Sequence, residues 1–322
     1  MRLRAERTPG SGRGVVHTVL AVLATGTALA GCTATASRAV GTSTSPRATT
    51  TTVVLPPPPA PVRALAVAMT GLPLVDATRP VVGDGHVLAD QRDLPTDVWM
   101  PSGRGPFPLV VFVPGYDKGP LDYQRFCATL ASSGYVVAAP SFPQEDPARG
   151  YPLDRNHLVD EAADVRFVIT ALEARFGDQV DDARLAVVGH SDGADVALLV
   201  GYGAGSVDPR VGAVVADAPD PMTVAPVASL VPLLLVQGTD DSVVPYSSSR
   251  TVFDQIDAPV FYVSLLGADH FPPIAGGTPW TPVLDDAVAL FLDTTVAGRG
   301  SGDTTLVAGL SSSPLVRFAS KG

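Results

Sequence analysis

Six mostly apolar runs punctuate the middle of the chain: Leu109–Val113, Tyr135–Ala139, Leu185–Val188, Val211–Ala216, Val231–Val236 and Val260–Leu266. Their hydrophobicity is continuous rather than alternating, which predicts burial on both faces and hence central strands of a covered sheet. Between and after them lie helix-compatible stretches at Leu121–Ser132, Leu158–Phe176, Ala194–Val200, Ser248–Ile256 and Pro282–Leu292. Within the second, the helical period places Val159, Ala163, Phe167 and either Ile169 or Leu172 on one face, predicted to be the buried one. Two shorter strands, Leu72–Asp76 and Thr96–Met100, precede this series, joined by a connection rich in Gly and Asp. Alternating strands and helices predict an α/β fold with a mostly parallel central sheet and helices on both faces. The segment between the strands at Val211 and Val231 is short and leaves little or no room for a lid, so an open, shallow site is expected.

Both ends of the chain read differently. Residues 33–62 are dominated by Thr, Ser, Ala and Pro and close on Pro56–Pro59. Such a composition cannot bury a core, and the proline run favours extended polyproline II, so this stretch is expected to be a stalk. Before it, Arg2, Arg4, Arg7 and Arg13 precede an apolar segment, Val15–Ala30, too short for a comfortable membrane span. The sequence Leu29-Ala30-Gly31-Cys32 resembles the lipobox of bacterial lipoproteins. That resemblance implies lipidation of Cys32 as the first mature residue and an exported protein held on the outer face of the membrane by its lipid alone. An ordinary secretory signal would still export the chain. The expected division is therefore a signal peptide (1–31), a stalk (32–62), a catalytic domain (63–297) and a Gly- and Ser-rich tail (298–322).

With 322 residues, 46% of them hydrophobic, the chain has enough apolar material for one large α/β domain. Its formal net charge is −10, and loss of residues 1–31, which carry four arginines and one glutamate, makes it more acidic still. An acidic surface argues against nucleic acid partners and against electrostatic adhesion to membranes. Cys127, between Phe126 and Leu130, is expected to pack as a small hydrophobe. No Gly-rich phosphate loop, nucleotide motif or metal-ligand cluster is apparent, so no cofactor and no metal is expected.

The candidate chemistry centres on Gly189-His190-Ser191-Asp192-Gly193, set between an apolar strand and a helix. This is the pattern of a nucleophile elbow, a turn tight enough to strain the serine backbone and expose its hydroxyl beside a helix N-terminus. A serine needs a base, and the base needs an orienting carboxylate. His17 lies in the signal, His86 in an early polar loop and His157 at the start of a helix on the far flank. His190 adjoins the serine in sequence, so its side chain points elsewhere. His270, just after the last strand, remains as the base. The acid should follow the preceding strand, where Asp240 and Asp241 compete, with Asp217 and Asp220 as a third option. The order Ser, Asp, His is that of α/β-hydrolases.

The elbow, the run Asp241-Ser242-Val243-Val244-Pro245 and the run Gly267–Phe271 resemble the α/β-hydrolase superfamily over about Leu72–Leu292. Leu74–Pro80, Trp99, Val113–Tyr116 and Gly134–Pro140 resemble bacterial esterases related to platelet-activating-factor acetylhydrolase, chlorophyllase and cutinase-like polyester hydrolases. The resemblance implies Asp241 as the acid and the backbone N–H groups of Tyr116 and Asp192 as the oxyanion hole. It also implies a serine esterase for small to medium acyl groups, acting on a small-molecule ester. Polyester hydrolases carry Met after the nucleophile and Trp after the next strand. Here those places hold Asp192 and the Ala218-Pro219 region, which argues against an aromatic clamp for polymer. The Asp192 carboxylate beside the site predicts a preference for neutral over anionic esters, unless it serves the helix N-terminus. A peptidase or amidase on the same triad, or a surface binding protein retaining the fold, are the competing readings. Epoxide hydrolases and dehalogenases need aspartate where Ser191 stands.

Overall fold

The computed structural model describes residues 64–300 and 302–322. Cys32, the signal and the whole of the stalk lie outside the described residues. The described chain opens with β1 (Val67–Asp76), the hairpin strands β2 (Val81–Gly83) and β3 (His86–Ala89), and β4 (Arg92–Pro101). It continues through β5 (Phe107–Val113), α1 (Gln124–Ser132), β6 (Val136–Pro140), α2 (Leu158–Phe176), β7 (Val180–His190) and α3 (Asp192–Tyr202). The remainder is β8 (Val211–Asp217), β9 (Leu233–Gly238), α4 (Tyr246–Gln255), β10 (Val260–Leu265), α5 (Pro272–Ala275), α6 (Thr281–Thr295), α7 (Asp303–Leu310) and β11 (Val316–Lys321).

Nine strands form one sheet in the order β1-β4-β6-β5-β7-β8-β9-β10-β11. Pairing is parallel from β6 through β10 and antiparallel at both ends, where β1 joins β4, β4 joins β6, and β11 joins β10. Strands buried on both faces feed two cores. Leu109, Val111, Leu185 and Val187 point to the face covered by α2, α3 and α4, while Val110, Phe112, Ala186 and Val188 point to the face covered by α1, α6 and α7. Cys127 is fully buried in the second core, and burial pushes its thiol far above the ordinary value, as suits an inert packing group.

Two expectations are corrected, and one connection is more ordered than its composition shows. The connection between the first two strands contains the β2–β3 hairpin, turned at Asp84 and Gly85, both at positive φ. Two such residues form the tight turn whose twist matches a hairpin. In α2 the buried face is offset from the predicted one. Ala162, Val165, Val168, Ile169 and Leu172 are buried, whereas Val159 is 55% exposed. The pattern is masked because Glu161 and Asp164 are also buried. Asp164 is tolerated there because Arg92 grips both its oxygens, at 2.7 and 2.6 Å, and Arg79 adds a third bond. Finally, the segment expected to be a Gly- and Ser-rich tail ends in an ordered strand. Its strand β11 pairs residue by residue with β10, from Val260 against Lys321 to Leu265 against Val316, and so covers an otherwise open sheet edge.

Among the described residues no helix is long and apolar enough to cross a membrane, and no group of three or more His, Cys, Asp or Glu is arranged to hold a metal ion. Fifteen residues separate β8 from β9, and they contain no helix.

Candidate active site

β7 delivers Gly189 and His190 to the carboxyl edge of the sheet, and α3 starts at Asp192. Ser191 between them takes φ 57°, ψ −128°, a conformation that costs a non-glycine residue about 1–3 kcal/mol. The turn closes so tightly that a Cβ at Gly189 would run into the Gly193 carbonyl, and one at Gly193 into the Val113 carbonyl. Both flanking glycines are therefore sterically required. The Ser191 N–H donates to the Asp217 carbonyl (2.9 Å), which ties the elbow to β8.

The loop after β9 carries Asp241. Its Oδ2 accepts from His270 Nδ1 at 2.8 Å and from Gln237 Nε2 at 2.7 Å, and its Oδ1 accepts the N–H groups of Val243 and Val244 at 2.9 and 2.8 Å. Burial alone would raise this carboxyl. The bonds from His270, Val243 and Val244 outweigh it and hold the group below the ordinary carboxylate value, so it stays ionised. Of the four candidate acids, Asp241 is the one bonded to His270. Among the described residues the Asp240 carboxylate meets only Thr239 (3.2 Å), Asp220 lies against Arg155 (3.3 Å), and Asp217 is buried at the end of β8. Asp269 staples the two loops together, its Oδ1 accepting from the N–H and Oγ of Ser242 (2.9 and 2.8 Å) and the N–H of His270 (2.8 Å).

His190 sits beneath the elbow rather than in the reaction path. The Gly115 N–H donates to the Tyr123 hydroxyl (3.1 Å), leaving the hydroxyl proton for His190 Nδ1 (3.0 Å). His190 Nε2 then carries the ring proton and donates to the His270 carbonyl (3.2 Å). Burial, reinforced by neighbouring His270, pushes the His190 ring down to about 3, so it is neutral as this chain of bonds requires. The His190 and His270 rings lie 4.6 Å apart between centroids, and Phe271 packs edge-on to Tyr123 at 5.6 Å. One cluster thus joins the loop after β5, the elbow and the His270 loop. The other histidines stand elsewhere: His86 is exposed on β3, and His157 caps α2 between Asp154 and Asp160.

Ser191 and His270 share the carboxyl edge, with no hydrogen bond between their side chains among the described residues. The N–H groups of Tyr116 and Asp192 likewise have no acceptor there. That of Asp192 is one of the orphan donors at the start of α3.

The Asp192 side chain overturns the premise of a negative wall. Its carboxylate is 1% exposed and is gripped by Arg155 through Nε (2.6 Å) and Nη2. The guanidinium also reaches Asp220. What faces solvent is the half-exposed cation with Asp220 beside it, so Asp192 presents no negative wall to an ester. Nor does the carboxylate cap α3, which receives no side-chain cap. Behind the pair, Glu145 and Glu161 are each 1% exposed, and their four carboxyl oxygens have no hydrogen-bond partner among the described residues. Burial first, then Asp192, raises Glu145 to about 9, and burial with Glu145 as neighbour raises Glu161 well above the carboxylate range. Sequence reasoning missed Arg155, Gln237, Tyr123 and this acid pair. No local motif marks any of them.

The family model for chlorophyllase matches residues 86–237. No curated protein sequence matches the chain. Among solved structures, a ferulic acid esterase from Streptomyces cinnamoneus, determined at 2.4 Å, is similar with a TM-score of 0.65 and 23% identity, over 81% of this chain and 98% of that one. The chain has the α/β-hydrolase fold. Together, the family match and the structural neighbour support a carboxylic ester hydrolase.

Proposed function

We propose that the chain cleaves carboxylic esters of small to medium acyl groups through Ser191, His270 and Asp241. The observation that carries this reading is the 2.8 Å bond from His270 Nδ1 to an ionised Asp241, at the same sheet edge as a strained serine. That bond leaves His270 Nε2 as the free ring nitrogen, able to accept a proton. Ser191 Oγ attacks the ester carbonyl carbon as His270 Nε2 takes the hydroxyl proton. The oxyanion is held by the N–H groups of Tyr116 and Asp192, at the positive end of α3. Collapse expels the alcohol oxygen, which takes the proton from His270, and leaves an acyl-serine. A water then gives a proton to His270 as it attacks the acyl carbon, and the C–Oγ bond breaks to release the acid while His270 returns that proton to Ser191 Oγ. Asp241 orients the imidazole and balances its transient charge.

Initial rates on p-nitrophenyl esters from acetyl to palmitoyl, with Ser191→Ala measured beside the parent, test this. A serine-dependent rate on short or medium esters is expected. Activity that survives Ser191→Ala, or no rate on any ester, would refute the reading, and a matched ester and amide pair separates an esterase from an amidase. The same reading includes export and anchoring through lipid on Cys32. Esterase activity should move from the membrane fraction to the soluble one in Cys32→Ala, and activity that stays with the membrane would contradict the anchor.

A further inference from the structure

A cavity of about 350 Å³ lies alongside α3. Asp195 and Leu199 line it from α3, one and two turns beyond the nucleophile, Leu158 and Val159 from the start of α2, and Met222 and Val224 from the loop after β8. We infer that this cavity seats the acyl chain of the ester, an uncharged apolar arm of medium length. The inference deepens the serine-esterase reading and rests on it.

Two observations fix the occupant's chemistry. The lining is more apolar than polar, with Asn156 and Thr223 as its neutral polar groups, and Val159 is left 55% exposed at the cavity. The charged groups at the cavity already have partners. Arg155 is committed to Asp192 and Asp220, and Asp195 accepts the Asp220 N–H at 2.8 Å. Burial and the nearby carboxylates of Asp220 and Asp192 push Asp195 well above the carboxylate range, so it is neutral. A charged arm would find no free counterion here.

Direction is fixed by the leaving group. The departing alcohol oxygen must lie within reach of His270, whose ring packs with His190 on the side of Tyr123 and Phe271. Those aromatic rings belong to the core on the α1 and α6 face, whereas Leu158, Leu199, Met222 and Val224 belong to the core on the α2 and α3 face. The acyl arm extends away from the leaving group, and so toward the cavity. Its volume corresponds to about ten water-sized groups, which suits a chain near octanoyl.

The test compares p-nitrophenyl octanoate with p-nitrophenyl acetate for the full chain, Met222→Trp and Val159→Asp. The first variant fills the cavity. The second puts a charge on its wall at an exposed helix-start position that tolerates aspartate. Octanoate kcat/KM should fall at least about tenfold, mainly through KM, with acetate held within about twofold. Parallel loss on both esters, no change on either, or a parent that does not favour octanoate over acetate would overturn the assignment. Thermal shift of Ser191→Ala by methyl octanoate separates the two layers. A shift abolished by Met222→Trp sustains the cavity even if no ester is turned over, and no shift overturns it.

Discussion

Arg155 holds the carboxylate of Asp192, the residue immediately after Ser191, through both Nε and Nη2, while its outer edge stays in solvent. A buried carboxylate next to the nucleophile is thereby matched by a cation at the surface. Removing the cation leaves the carboxylate stranded. Arg155→Met should lower stability by about 1–3 kcal/mol, and Asp192→Leu in the same chain should restore part of it. Denaturant unfolding of the two single variants and the double variant measures the coupling.

The same pair predicts a change in substrate charge preference. With Arg155 present, esters of anionic and neutral alcohols of equal size should be cleaved at comparable kcat/KM. Arg155→Met should penalise the anionic ester alone. Matched butyrate esters of an anionic and a neutral alcohol, assayed at low and high salt, provide the check, because screening should shrink the difference.

Two adjacent aspartates should behave very differently. Asp241→Asn removes the carboxylate that fixes the His270 tautomer and should lower kcat by about 10⁴-fold, with little change in KM. Asp240→Asn touches a residue whose side chain meets only Thr239 and should change kcat by less than about threefold. Equal losses in both variants would show that the loop, rather than the acid, had been disturbed.

Glu145 makes stability fall as pH rises. Unfolded, its carboxyl titrates near about 4.3, whereas burial raises the folded value to about 9. Between those limits the native state binds the extra proton, so its stabilisation is complete below the unfolded value and is lost as pH climbs through the window. The loss is at most about 1.4 kcal/mol per pH unit for this group. Glu161 acts in the same direction. Glu145→Gln should flatten the unfolding free energy across neutral and alkaline pH. His190 has the opposite sense, because its ring is held neutral down to about 3 while the unfolded ring protonates near about 6.5, so acid destabilises the fold over that range.

β11 is predicted to matter out of proportion to its length. Deleting residues 313–322 strips the pairing from β10 and opens a sheet edge beside the His270 loop. A lower Tm and concentration-dependent aggregation are expected, both measurable by thermal unfolding with light scattering.

The central strands were legible because burial on both faces leaves an unbroken apolar signature, and the elbow because its two glycines are sterically required. Other features depend on contacts that no local pattern encodes. Asp240 and Asp241 share one loop and one composition, and only the approach of His270 distinguishes them. The face of α2 was misjudged because Asp164 counts as polar until Arg92, distant in sequence, is brought against it. Asp192 was read as an isolated charge because Arg155 is separated from it by the whole of α2 and β7. β11 lay concealed behind a Gly- and Ser-rich lead-in, and its partner is a strand before three intervening helices.

The strand order carries a kinetic consequence. From β7 outward, sheet neighbours follow one another in the chain, so β8, β9, β10 and β11 each add beside the strand laid down before. The serine, acid and base ride on this half, which grows by successive short closures. The other half needs a longer step, because β5 must join β7 with Leu109 against Leu185, across α1, β6 and α2. Chain-closure entropy therefore concentrates the folding barrier at the β5–β7 seam. That seam is where the loop bearing Tyr116 meets the strand bearing Ser191, so the last join made would be the one that brings the nucleophile to its oxyanion donors.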